Sequence, residues 1–90
     1  MATQEAVVQT DEELAASLTG ARRDTTAAQL AALITEAGGT LAPTFPGSTG
    51  EMRTYFHCFV EPAEFDRVAE RLRDLPGVIA AYLKPPDAPP

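Results

Sequence analysis

The chain has one cysteine, one histidine, no tryptophan and only seven lysine and arginine residues among 90. Each shortage excludes something. A lone cysteine cannot build an intrachain disulfide framework. With a single histidine beside it, it cannot supply the roughly four Cys/His ligands of a structural zinc site. Seven basic residues against 13 acidic ones leave a formal charge of −6, a balance opposed to nucleic acid, which selects a basic face, and to an anionic membrane surface. No apolar run approaches the ~18 residues that span a bilayer. The opening MATQEAVVQTDEELAA lacks the basic stretch and apolar run of a secretory signal, so a cytoplasmic-type chain is the default expectation. GGT and PGSTG lack the Gly-x-x-x-x-Gly-Lys spacing of a phosphate loop.

What remains suits one small domain. A chain of this length buries only about 60–65% of its unfolded surface, so its stability is marginal and open to reinforcement by a partner. In QEAVVQ, residues 4–9, Val7 and Val8 favour a strand. Thr10 and Glu13 have capping-box spacing, Leu14 and Leu18 share a face, and Gly20 can stop the segment, which reads equally as a short helix or a frayed arm. In TTAAQLAALITEAGG, Thr26 and Gln29 repeat the capping pattern; Leu30, Leu33, Ile34 and Ala37 recur at helical spacing, and Gly38-Gly39 ends the run. TLAPTFPGSTGE holds Pro43 and Pro46, which confine any strand there to a sheet edge, and PGSTG is a hairpin loop. In EPAEFDRVAERLRDLPG, Pro62 suits a first helical turn, acidic residues precede and basic ones follow, and Phe65, Val68, Ala69, Leu72 and Leu75 form the stripe. VIAAYLK reads as a last strand and PPDAPP as a polyproline-like tail.

The strongest strand signal is RTYFHCFV, residues 53–60. One alternate set, Met52, Thr54, Phe56, Cys58 and Val60, is a core face; the other holds Arg53, Tyr55, His57 and Phe59. The order of elements predicts an α+β ferredoxin-like fold, a split β-α-β (β-α-β-β-α-β) two-layer sandwich with one open sheet face and room for an extra N-terminal helix. It divides into an N-terminal arm (1–24), a core (25–84) and a proline-rich tail (85–90). In this layout the strand after the hairpin lies inside the sheet and Arg53, Tyr55, His57 and Phe59 look outward. The last strand is apolar on both faces, so the open side is a candidate protein or ligand surface, unless the N-terminal arm folds across it. His57 and Cys58 are adjacent in a strand and point to opposite faces, so they cannot form a nucleophile–base pair. No catalytic residue, metal site or cofactor is expected.

FVEPAEFDRVAERLRDLPGVIAAYLKPPDAPP resembles the second half of the pro-domains of subtilisin-like serine proteases and of their free-standing inhibitor relatives. The resemblance covers about the last 40 residues: Phe59-Val60, the helix of Phe65, Val68 and Leu72, the turn Leu75-Pro76-Gly77-Val78, and Ala81-Tyr82-Leu83-Lys84-Pro85-Pro86. It implies a binder that assists folding of a subtilisin-like protease, in cis or in trans, and inhibits it. The open face of Arg53, Tyr55, His57 and Phe59 would dock on the protease. The tail Leu83, Lys84, Pro85, Pro86, Asp87 and Ala88 would run through its cleft as an added strand. The chain departs from that family at Pro89-Pro90: proline before the scissile bond is a poor substrate, so cleavage after residue 90 is not expected. A linker, a slow, uncleaved inhibitor, or a relative recruited to another partner fits this tail better. Two other classes share the pattern. One is a general protein-interaction or oligomerisation module, for which a homodimer is compatible. The other is a small-molecule sensor of the amino-acid-binding type.

Overall fold

The computed structural model describes residues 3–20, 25–45 and 50–84. Along the chain run β1 (Gln4–Thr10), α1 (Glu12–Thr19), α2 (Thr25–Glu36), β2 (Ala42–Pro43), a 3-10 turn (Gly50–Thr54), β3 (Tyr55–Val60), α3 (Pro62–Asp74) and β4 (Val78–Leu83). The strands form one antiparallel sheet in the order β2-β3-β1-β4. Among the described residues the result is a small α+β domain of four strands and three α-helices.

Period-two patterning decides which side of each strand is buried. Ala6, Val8 and Thr10 of β1, Phe56, Cys58 and Val60 of β3 and Ala81 of β4 are all buried. Their apolar members join one cluster with Leu14, Ala15 and Leu18 of α1, Ala27, Leu30, Leu33 and Ile34 of α2, and Phe65, Val68, Ala69 and Leu72 of α3. All three helices therefore bury their stripes against the same side of the sheet. Residues 4–19 belong to this frame: β1 lies inside the sheet, between β3 and β4, and α1 lies in the helical layer. They do not lie across the opposite face.

Local chemistry sets the boundaries. The cap of α1 is Asp11, whose Oδ1 accepts from the Leu14 N–H at 2.8 Å. Thr10, the expected cap, is instead the last residue of β1, paired with Val78. The Asp11 N–H donates to Gly77 O at 2.8 Å, tying the start of α1 to the turn before β4. α2 begins at Thr25, so Thr26 stands in its first turn. It ends in a Schellman closure: Gly38 has φ +88°, its N–H donates to Thr35 O at 2.9 Å, and Gly39 N–H donates to Ile34 O at 3.0 Å. β2 is short and carries Pro43 at the sheet edge, as its prolines require.

β3 begins at Tyr55, two residues later than the alternation alone suggests. Met52 and Arg53 fall in the 3-10 turn, and Met52 is exposed rather than facing the helices. Its period-two relation to Phe56 does not hold because the 3-10 turn repeats every three residues. β4 carries an irregularity too: Gln9 pairs with Ala80 but Thr10 with Val78, which leaves Ile79 as a bulged residue. Val78 and Leu83 consequently both pack against the core with Ala81, and simple alternation along VIAAYL is broken.

Candidate functional site

The side of the sheet opposite the helices is assembled from all four strands. Residues directly opposite in neighbouring strands share a face, so the register lays out its rows. One row runs Ala42, His57, Val7, Tyr82 across all four strands. A second runs Tyr55, Gln9, Ala80, and a third sets Phe59 beside Glu5. Tyr55, His57 and Val7 are half-buried by their neighbours, whereas Phe59 is 55% and Tyr82 47% exposed.

The aromatic members are held in defined orientations. Phe45 meets Tyr55 edge-on, with ring centroids 6.3 Å apart. His57 meets Phe59 edge-on at 6.1 Å. Thr44 Oγ1 lies 3.2 Å from His57 Nδ1 and fixes the imidazole from the other side. Edge-to-face pairing adds to each ring's burial and limits its freedom. At one end of the face Lys84 Nζ lies 3.9 Å from Glu5 Oε1, an exposed pair worth under about 1 kcal/mol. The result is a band of aromatic and apolar side chains with the Glu5–Lys84 pair at one end.

Cys58 lies on the other side, 1% exposed. Burial, with the Glu5 carboxylate adding to it, pushes its thiol up to about 11. His57 faces outward and Cys58 inward, so the two cannot cooperate. Among the described residues no group of three or more His, Cys, Asp and Glu side chains could hold a metal ion. A groove of about 400 Å³ between α1, α2 and β2 is lined by Leu18, Thr19, Thr35, Leu41, Pro43 and Phe56. Both helical threonines there turn their hydroxyls to their own helix, Thr19 to Ala15 O at 2.9 Å and Thr35 to Ala31 O at 3.0 Å. That leaves little in it to orient a polar ligand.

Of the residues expected on the open face, Tyr55, His57 and Phe59 stand together on it, and Arg53 sits half-buried in the turn just before them. Of the expected tail, Leu83 ends β4 and packs against the core. Lys84 prolongs the ladder: its N–H donates to Glu5 O at 2.8 Å and its carbonyl accepts from Gln4 Nε2 at 2.7 Å. Pro85, Pro86, Asp87 and Ala88 lie outside the described residues. The sequence reading missed Val7 and Phe45 as members of the site, and for the last strand it left open whether Val78, Ala80 and Tyr82 or Ile79, Ala81 and Leu83 share this face; the register places Ala80 and Tyr82 on it. Alternation in QEAVVQT would have placed Val7, but the face of Tyr82 depends on the bulge at Ile79.

Comparison with protein-family models, with curated proteins and with solved structures gives no match to this chain.

Proposed function

We propose that this chain is a protein-binding module on a ferredoxin-like frame, acting as a propeptide-like ligand of a subtilisin-like serine protease. The strand order β2-β3-β1-β4, with α3 carrying the chain from β3 past β1 to β4, supports the ferredoxin-like assignment. The observation that carries the binding role is the pair of large rings, Phe59 and Tyr82, standing more than 45% exposed on a sheet face that no described helix covers. A marginal domain gains little by leaving such area in water. The protease assignment rests on the resemblance of the C-terminal half to subtilisin-type pro-domains.

In this reading Tyr55, His57, Phe59 and Tyr82 dock on the surface of the protease, with Arg53 at the margin. Leu83 and Lys84 launch the tail toward the cleft. Pro85 and Pro86 offer no N–H donors, so the tail is held by its carbonyls and by the shape of its side chains rather than by a full strand ladder. Binding the folded protease in preference to its unfolded chain stabilises it by mass action. The chain is a binder and supplies no catalytic group.

The test is inhibition of subtilisin by the purified full chain. We expect slow, reversible inhibition that Phe59→Ala or Tyr55→Ala weakens at least ten-fold, a loss of about 1.4 kcal/mol, while the thermal midpoint hardly moves. Absence of any effect on the protease removes this assignment. Inhibition insensitive to both substitutions removes the face.

A further inference from the structure

We propose that Arg73 guards the free edge of β4 against strand pairing with a second copy of this chain. Among the described residues the sheet has two edges that no other strand pairs. β2 is protected by its length of two residues and by Pro43. β4 is different: it runs six residues, Val78–Leu83, without a charge or a proline, and such an edge invites another strand.

The register shows which groups the edge presents. Lys84 N–H donates to Glu5 O, which makes Glu5 and Lys84 a hydrogen-bonded pair. Such pairs alternate along an antiparallel ladder. Tyr82 therefore bonds Val7, whereas Ala81 and Leu83, opposite Val8 and Ala6, turn their N–H and C=O groups out of the sheet. The Ala81 carbonyl is not left free. Arg73, in the last turn of α3, donates to it twice, from Nε at 3.2 Å and from Nη2 at 2.9 Å. A carbonyl oxygen has two lone pairs, so both are engaged and no incoming N–H finds one open.

The occupant that fits this edge is β4 of a second copy. Antiparallel pairing centred on Ala81 sets Ala81 against its own counterpart and Ala80 against Tyr82, small against large on the open face. It covers Tyr82 and Ile79, which are 47% and 62% exposed. Its central hydrogen bond uses the very carbonyl that Arg73 holds. The guanidinium thus keeps the chain monomeric, and its removal opens the edge.

Sedimentation equilibrium on the full chain tests this. Wild type is expected at the 9.6 kDa monomer mass. Arg73→Met keeps the aliphatic stem, and its dimer dissociation constant should fall at least ten-fold below that of wild type. Adding Ile79→Lys places a charge on the edge and restores the monomer. A folded Arg73→Met that stays monomeric overturns the proposal, as does a wild-type dimer equally tight, or a dimer indifferent to Ile79→Lys. The wild-type chain offers a readout independent of variant folding. The Arg73 Nε–H should be protected from solvent exchange in NMR spectra, and exchange at the rate of a free guanidinium contradicts the contact.

Discussion

Phe56 and Phe59 are three residues apart in one strand and have opposite fates. Phe56 is 2% and Phe59 55% exposed. Truncating Phe56 leaves a core cavity, so Phe56→Ala should lower the unfolding free energy by about 3–5 kcal/mol in denaturant titrations, a large share of what a domain of this size has to lose. Phe59→Ala should stay within about 0.5 kcal/mol of wild type in denaturant titrations. Cys58 makes a chemical test of the same alternation. A thiol pushed from the ordinary 9.0 up to about 11 holds roughly 100-fold less thiolate at pH 8, so a disulfide reagent should modify the native chain at least that much more slowly than the denatured one. The folded state disfavours the thiolate, so the unfolded chain gives up its proton first. This contribution to stability is complete below pH 9 and is lost as the pH rises through about 11. The stability difference between wild type and Cys58→Ala, followed by urea titration, should shrink across that window. At this scale the sequence was informative: the alternation in RTYFHCFV assigns Tyr55, His57 and Phe59 to one side and Phe56, Cys58 and Val60 to the other, as found. It misplaced Met52 because a 3-10 turn and a strand both tolerate the same residues.

The ends of the elements were less legible, because they are set by contacts distant in sequence. Asp11 caps α1 while its backbone N–H reaches Gly77, a neighbour no local pattern reveals. Asp11→Ala should lower the unfolding free energy by about 1 kcal/mol, the usual worth of a cap. The Gly38-Gly39 stop was readable as a stop, but the two glycines are needed for different reasons. Gly38 adopts φ +88° with nothing within 4 Å of a built Cβ. At Gly39 a Cβ would stand 2.7 Å from Val60 Cγ1 and 2.8 Å from Phe59 O. Gly38→Ala should therefore cost about 1 kcal/mol of backbone strain. Gly39→Ala should cost about 1–3 kcal/mol through overpacking, and it should also disturb the NMR signals of Phe59 on the open face. Equal, small effects at both positions would contradict the packing described here.

For the whole molecule, the order of elements led to a layered α+β domain with helices on one side of the sheet, and the four-stranded antiparallel sheet has that arrangement. Residues 4–19 were legible only in part: the strand in QEAVVQ was readable, and the segment after it, equally a helix or a frayed arm by sequence, is the helix α1. Whether QEAVVQT joins the sheet depends on long-range pairing with β3 and β4, and its place between them makes the N-terminus essential to the frame. Its position also completes the candidate site, since Val7 bridges His57 and Tyr82. The central claim is that this face is gripped by another protein. Amide chemical-shift mapping with active-site-blocked subtilisin tests it most directly. The account predicts perturbations concentrated at Val7, Tyr55, His57, Phe59 and Tyr82, with α2 and the outer turns of α3 unmoved. Perturbations confined to the helical layer, or none at saturating protease, would contradict it.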